Sequence, residues 1–98
     1  MAKKVDFSKI IVRDITGGEF TVTENGEVRP FDFAQQLGNA LFYRGTDIRL
    51  ADLGREIYHH RPVDLEDDDV VSILKMVKES FQPFVLLSVN PQIDELLK

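Results

Sequence analysis

Four side chains near the middle of the chain are of the types that bind a catalytic metal ion. Glu56 and His59 stand three residues apart, so on a helix they share one face. His60 follows directly, and Asp64 lies two residues beyond Pro62. Bundles that hold two metal ions use such Glu-x-x-His pairs twice, with further glutamates. Only one pair occurs here, so the sequence predicts no metal site, and a metal-dependent enzyme at these four residues is an alternative hypothesis.

The other patterns that carry chemistry are incomplete or missing. The acidic run at 66–69 lacks the alternating ligands and the glycine of a calcium-binding loop. The serines stand in no nucleophile-elbow context, and the glycine pair at 17–18 lacks the lysine of a phosphate-binding loop. The chain has no cysteine, which excludes disulfides, thiolate metal ligands and cysteine nucleophiles. The sequence therefore predicts a protein that is not an enzyme, with no catalytic residues and no cofactor.

Size and charge limit the function classes further. The 98 residues fit one domain, and the absence of cysteine favours the reducing cytoplasm. No apolar run approaches the length of a membrane span or of a signal peptide. The net charge is −5, and residues 63–98 hold three basic and eight acidic side chains. Because binding to nucleic acid relies on basic side chains, this composition argues against it.

A helix-turn-helix outline over residues 33–61 keeps DNA binding as the second hypothesis. Two helical patterns, 33–44 and 47–60, meet near Gly45. The second pattern carries three arginines, Arg49, Arg55 and Arg61. Acidic residues interleaved with these arginines offset their charge, whereas a recognition helix is expected to expose a basic or amide-rich face.

The first third of the chain predicts strands. Residues 9–15 are rich in β-branched side chains, and the glycine pair at 17–18 that follows predicts a two-residue turn. A second strand leads to Asn25-Gly26, which is typical of a type I′ turn. Together with a third strand at 28–31, these segments predict a three-stranded antiparallel β-meander within residues 1–31.

The two turns also predict how the strands are aligned. Two-residue turns place Ile15 opposite Phe20, and Phe20 opposite Phe31, which gives the meander one apolar row. The same alignment places Glu24 opposite Glu27, a mildly unfavourable pair of like charges. We therefore expect one apolar face on this sheet and a loose tip on its second hairpin.

From Asp32 onward the spacing of apolar residues becomes helical, and three to four helices are predicted within 32–98. Asp32 is suited to cap the first helix, and Thr46 or Asp47 can cap the second. The third helix has two possible starts, with Asp64 or Glu66 as its capping residue. A three-stranded sheet needs cover on its apolar face, so we predict one α+β domain in which these helices pack on the meander.

The C-terminal segment is the candidate interaction surface. Periodicity alone fits 84–89 to a buried strand or to a helix, and the prolines Pro83 and Pro91 favour helix, with Asn90 capping a final short one. Its consecutive apolar residues cannot all face one core, so some must face outward. The candidates are Phe84, Val85, Leu86, Leu87, Ile93 and Leu96. We therefore predict a non-enzymatic protein-interaction or assembly module whose partner is a second copy, forming a homodimer.

Four short motifs between Phe33 and Val89 carry a resemblance to known proteins. They are Leu37-Gly38-Asn39-Ala40-Leu41, Asp52-Leu53-Gly54-Arg55-Glu56-Ile57-Tyr58, Val63-Asp64-Leu65 and Phe81-Gln82-Pro83-Phe84-Val85. Through them the chain resembles small uncharacterised proteins encoded by phages and prophages. The resemblance brings no catalytic residues with it, and it implies a role in virion assembly or in interaction with a host.

Overall fold

Four helices and four short strands make up residues 3–97, the part of the chain that this computed structural model describes. The helices are α1 (Phe33–Arg44), α2 (Ile48–Tyr58), α3 (Asp67–Ser80) and α4 (Pro83–Leu96). The strands are β1 (Lys3–Val5), β2 (Thr21–Glu24), β3 (Glu27–Pro30) and β4 (Val63–Leu65). The predicted α+β class is confirmed. Met1, Ala2 and Lys98, the end residues of the predicted domain, lie outside the described residues.

Capping side chains explain where the first three helices begin. Asp32 and Asp47 each accept a hydrogen bond from a backbone N–H of the first turn, at 3.0 and 2.9 Å. At the start of α3, the Asp69 carboxylate accepts from the Glu66 N–H at 3.0 Å as part of a capping box. Of the two predicted starts for this helix, the one after Glu66 is therefore the observed one, and Asp64 lies in β4.

The C-terminal segment is one helix. Residues 84–89 are helical, and α4 continues through Pro91, so the predicted new cap at Asn90 is wrong. Proline removes one backbone donor from the helix, at a cost in stability. Val89 and Ile93, on either side of Pro91, are both fully buried. Their burial against one core holds the two halves in line and offsets that cost.

The predicted three-stranded meander is wrong, because the strands form two separate antiparallel pairs, β1 with β4 and β2 with β3. The second hairpin nevertheless has the predicted register, with Glu24 opposite Glu27. Both residues of its turn, 25–26, have positive φ, 51° and 80°, as a type I′ turn requires. Beyond the ladder, the Phe31 N–H donates to the Phe20 carbonyl at 2.9 Å, which extends the same register.

The first turn differs from the prediction because of Asp14. Its carboxylate accepts from the backbone N–H and the hydroxyl of Thr16, at 2.9 and 2.5 Å, and its carbonyl accepts from the Gly17 N–H at 3.0 Å. The turn therefore has three residues, with Gly17 at φ 87°, in place of the predicted two. Ile15 consequently lies at the tip of the turn, fully exposed, and does not face Phe20.

The segment before this turn bonds mainly to α4. The Gln92 side-chain amide accepts from the Ile11 N–H at 2.9 Å and donates to the Ile11 carbonyl at 2.6 Å. The Ser88 hydroxyl accepts from the Arg13 N–H at 2.9 Å. A single bridge between Arg13 and Glu19 joins the segment to the next one. The side chains of α4 thus satisfy backbone groups that a neighbouring strand would otherwise satisfy.

One hydrophobic core lies where the helices meet the β1–β4 pair. Its fully buried large residues are Phe7, Phe33, Leu37, Leu41, Ile57, Leu65, Ile73 and Ile93. Lys3 of β1 pairs with Leu65 of β4, so the N-terminal strand closes the core against the middle of the chain. Within residues 3–97, no helix has both the length and the apolar character needed to cross a lipid bilayer.

The helices α1 and α2 lie side by side as an antiparallel pair. A Cβ atom at Gly38 would lie 2.6 Å from both the Gly54 carbonyl oxygen and the Tyr58 nitrogen. Tyr58 is the last residue of α2, so the two helices remain in contact far from the turn that joins them. The helices of a helix-turn-helix diverge from their turn at about 90–120°, so the predicted outline over 33–61 is not observed.

Candidate functional site

Three of the four candidate metal ligands are engaged in separate interactions, and the fourth is exposed. The four are Glu56, His59, His60 and Asp64. Glu56 accepts from Arg61 at 3.0 Å, and His60 Nε2 lies 2.6 Å from Asp32 Oδ2. The His59 ring packs edge-on against the preceding tyrosine, and the fourth candidate is exposed on β4. Within residues 3–97, no three side chains of metal-binding type come close enough together to hold an ion.

His60 closes α2 in a conformation that usually requires glycine. Its φ is 62°, in the left-handed region. The His60 N–H donates to the Ile57 carbonyl and the Arg61 N–H to the Glu56 carbonyl, both at 3.0 Å, which is a Schellman motif. The Asp32 carboxylate caps α1 through one oxygen and meets His60 through the other. One carboxylate therefore joins the end of α2 to the start of α1.

The three arginines of the DNA-binding hypothesis all form ion pairs within the chain. Their partners are Asp69 for Arg49, Asp52 for Arg55 and Glu56 for Arg61, at 2.8, 3.2 and 3.0 Å. Each arginine thus faces a carboxylate, which neutralises the surface that a phosphate backbone would need. The geometry consequently gives DNA binding no specific support.

The pair of Arg49 and Asp69 is the most enclosed of these three. Asp69 is only 8% exposed, and Arg49 donates to its two oxygens at 2.8 and 3.3 Å. The hydrogen bonds from Arg49, together with the one from the Glu66 N–H, outweigh burial and hold the pKa of Asp69 below its ordinary value. Arg49 also donates to the Asp64 carbonyl at 3.1 Å, so this pair ties α2 to β4 and α3.

The predicted interaction residues of α4 divide between the core and the surface. Val85 and Ile93 are 4% and 1% exposed, so these two are core residues and not surface residues. The half-buried ones are Leu86 and Leu96. Phe84 and Leu87 are 38% and 80% exposed. A helix with 3.6 residues per turn spreads four consecutive apolar residues around its circumference, which explains the division.

Two residues from the first hairpin extend the exposed part of α4 into a groove. Phe20 packs edge-on against Phe84, with ring centroids 5.1 Å apart, and Ile15 stands fully exposed beside them. Together with Leu87 they line a largely apolar groove of about 510 Å³, here called the apolar surface (Ile15, Phe20, Phe84 and Leu87). Ile15 was not among the predicted interaction residues, although its signal was present: Asp14 can form the hydrogen bonds that define this turn.

A second cleft, of about 710 Å³, lies beside the β2–β3 hairpin. Ser8, Ile10 and Ile11 contribute to one wall of this cleft, and the hairpin forms another. The start of α1 and His60 complete it. Unlike the groove on α4, this polar cleft is lined by several carboxylates and side-chain amides. Apart from His60, its residues were not predicted as site residues, because they come together only through the fold.

Comparisons with known proteins identify no relative of this chain. Comparison with family models, with curated proteins and with solved structures gave no match to this chain. The resemblance to phage-encoded proteins therefore stays a prediction from the sequence.

Proposed function

We propose that this chain is a non-enzymatic protein-interaction module that forms a homodimer through the apolar surface (Ile15, Phe20, Phe84 and Leu87). The main support for this proposal is Ile15, because a fully exposed branched side chain contributes nothing to the core of its own chain. Burying such a side chain against a partner removes it from water, which is worth about 1.5–3 kcal/mol. Leu87, at 80% exposure, offers a comparable gain on the neighbouring helix.

The apolar surface is preformed, which favours binding. Asp14 holds the turn that carries Ile15 through its bonds to Thr16. Ser88, next to Leu87, bonds the backbone just before that turn and so joins it to α4. Because both parts are fixed relative to each other, little conformational entropy would be lost when a partner docks.

Charge at the edge of the groove supports a second copy as the partner. Arg13 and Asp14 both line the groove, side by side and opposite in sign. In a two-fold dimer each residue meets its counterpart in reciprocal fashion, so the Arg13 of each copy can face the Asp14 of the other. The same symmetry allows the projecting Ile15 of each copy to enter the groove of its partner.

The small size of the apolar surface indicates a weak dimer. Stable interfaces bury about 800 Å² on each partner, which four residues do not reach alone. We therefore expect a dissociation constant above about 1 µM and a dimer that exchanges with monomer.

Sedimentation velocity from low to high micromolar concentration tests the proposal. The wild-type chain should show an average mass that rises with concentration, whereas Ile15→Asp and Leu87→Asp should stay monomeric. Val71→Asp is the matched control, because Val71 is 67% exposed on α3, outside the apolar surface. A wild-type chain that is strictly monomeric at high micromolar concentration would remove the dimer, and an I15D chain that dimerises like wild type would remove this surface.

The setting of the interaction is proposed from the sequence alone. The resemblance to phage and prophage proteins suggests virion assembly or a host interaction, and a small chain without cysteine suits the reducing cytoplasm. Neighbouring genes that encode tail or capsid proteins would support this setting. Neighbouring repressor genes would instead favour the DNA-binding hypothesis.

A further inference from the structure

The strand β2 has a backbone edge that β3 does not use. The turn is closed by Glu24 and Glu27, and hydrogen-bonded pairs alternate with non-bonded pairs along an antiparallel ladder. Thr23 and Thr21 therefore fall at the non-bonded positions, and their N–H and C=O groups point away from β3. Thr21 lies opposite Pro30. Proline has no N–H to donate, so this pair can only occupy a non-bonded position, in agreement with the alternation.

This edge is covered at its beginning and open further along. The Phe20 N–H donates to the Val12 carbonyl at 2.8 Å, and the backbones of Arg13 and Glu19 form an isolated antiparallel β-bridge. Beyond that point, within residues 3–97, no ladder joins β2 to the preceding chain. Ser8, Ile10 and Ile11 of the preceding chain instead line the same 710 Å³ cleft as β2. The cleft adjoins the open edge of β2 at Val22, Thr23 and Glu24, and residues 29–31 on the β3 side also line it.

The charges on the cleft walls favour a basic occupant. Three carboxylates line the cleft, from Glu19, Glu24 and Asp32, against the two basic side chains Arg29 and His60. The lining therefore has a formal charge of −2 with a neutral histidine. His60 pairs with Asp32 at 2.6 Å, and Arg29 pairs with Glu27 at 3.0 Å and more distantly with Glu24 at 3.9 Å. The carboxylates of Glu19 and, in part, Glu24 therefore remain to attract a cation.

Two glutamines add groups that can bind a peptide backbone. Gln35 and Gln36, at the start of α1, both line the cleft. A side-chain amide offers a donor and an acceptor together, which matches the N–H and C=O of an extended residue. The chain already uses this chemistry elsewhere, where Gln92 bonds both backbone groups of Ile11.

We propose that this cleft binds an extended, basic peptide segment of a partner protein by strand addition to the open edge of β2. The backbone groups of Thr21 and Thr23 supply the main-chain hydrogen bonds. The carboxylates of Glu19 and Glu24 select basic side chains in the peptide. The cleft is distinct from the apolar surface, so this proposal does not depend on the homodimer.

Fluorescence anisotropy with a labelled, end-capped hexapeptide in which lysine and valine alternate tests the strand geometry. The full chain should bind it saturably, with NMR shift changes at the amides of Thr21 and Thr23. Successive peptide N–H groups of a strand face opposite edges. N-methylation at one alternate set of nitrogens should therefore weaken binding at least about tenfold, and at the other set hardly at all. Equal effects of both methylated peptides, or no binding, would overturn the proposal.

Charge variants test the selection of basic segments. The double variant Glu19→Gln with Glu24→Gln should bind the lysine-valine peptide about tenfold more weakly. Glu79→Gln with Asp94→Asn is the matched control, because it removes the same charge from exposed acids outside the cleft. Equal weakening by the control would overturn the proposal by showing attraction to net charge alone.

A second copy of the chain is the competing occupant of this edge. The Ile15→Asp chain, which lacks the projecting residue of the apolar surface, separates the two cases. If this chain still associates with itself and the lysine-valine peptide dissociates it, the edge belongs to a second copy and the basic-peptide proposal fails. A monomeric I15D chain that binds the peptide as tightly as wild type supports the proposal.

Discussion

His60 combines a strained backbone with a well-placed side chain. Its φ of 62° brings the Cβ atom close to the following carbonyl, at a cost of about 1–2 kcal/mol. Its ring lies 2.6 Å from the Asp32 carboxylate, but both side chains are partly exposed, and such pairs contribute about 0–1 kcal/mol. The strain and the contact are therefore of similar size and opposite sign.

Two substitutions at His60 separate the strain from the contact. His60→Ala removes the ring and keeps the strained Cβ atom, whereas His60→Gly removes both. We expect the glycine variant to be more stable than the alanine variant by about 1 kcal/mol in urea unfolding at neutral pH. An alanine variant at least as stable as the glycine variant would contradict the left-handed conformation at this residue.

Asp69 predicts a pH dependence of stability. Hydrogen bonds from Arg49 lower its pKa in the folded chain, so the folded state binds this proton less readily than the unfolded state. The stabilisation is therefore fully present above about pH 4, near the ordinary aspartate pKa, and is lost as the pH falls through the folded pKa. At neutral pH we expect Asp69→Asn to cost about 2 kcal/mol, because Arg49 loses a charged acceptor.

Urea unfolding of wild type and Asp69→Asn over the acid range measures this dependence. The difference in free energy of unfolding between wild type and Asp69→Asn should be largest at neutral pH and should shrink below about pH 4. Asp68→Asn is the control, because Asp68 lies in the same first turn and is exposed. A difference between wild type and D69N that does not change with pH would show that the Asp69 charge is not the cause.

At the scale of elements, Gly38 sets the distance between α1 and α2. Alanine is normally more favourable than glycine in a helix by about 1 kcal/mol. Here its Cβ atom would lie 2.6 Å from backbone atoms of Gly54 and Tyr58, which cannot rotate away. We therefore expect Gly38→Ala to lower the free energy of unfolding by about 2 kcal/mol in spite of its better helix propensity.

Thermal unfolding followed by circular dichroism checks this expectation. Asn39→Ala is the matched control, because Asn39 is the next residue of the same helix and is exposed. It should leave stability unchanged or raise it slightly. If G38A is as stable as N39A, the two helices do not pack at this close distance.

Elements with a short-range signal were predictable from the sequence. Asp32 and Asp47 cap their helices through bonds to the same turn, and the register of the second hairpin follows from Asn25-Gly26. These outcomes depend on residues within a few positions of each other, so the local sequence contains the information. For the same reason Leu87 could be named as a surface candidate from the apolar run that contains it.

Features that depend on distant residues were not predictable in this way. Lys3 pairs with Leu65 across more than half of the chain, and no local pattern marks such a pairing. The polar cleft likewise collects side chains from the hairpin, α1 and the end of α2. The first turn is an intermediate case, since Asp14 was visible but two adjacent glycines pointed to a shorter turn. That error in turn length also hid Ile15, the residue that matters most for the proposed dimer.

At the scale of the whole molecule, β1 links the first described residues to the middle of the chain and to the end of α4. Val5 of β1 is 1% exposed and pairs with Val63 of β4. The Lys3 ammonium donates to the Leu97 carbonyl at the end of α4. By contrast, β2 and β3 are exposed along most of their length. We therefore expect the core to unfold as one unit and the hairpin to add little to its stability.

The same substitution at two places tests this expectation. Val5→Ala should cost about 2 kcal/mol, which for a chain of this size lowers Tm by roughly 10 °C. Circular dichroism and the fluorescence of the tyrosines in α1 and α2 should report one coincident transition, shifted equally. Val28→Ala, at a residue 68% exposed on β3, should change stability by no more than about 0.5 kcal/mol. If V5A shifts the circular dichroism transition and leaves the tyrosine transition in place, the N-terminal strand and the α1–α2 pair are separate units, and the single predicted domain is wrong.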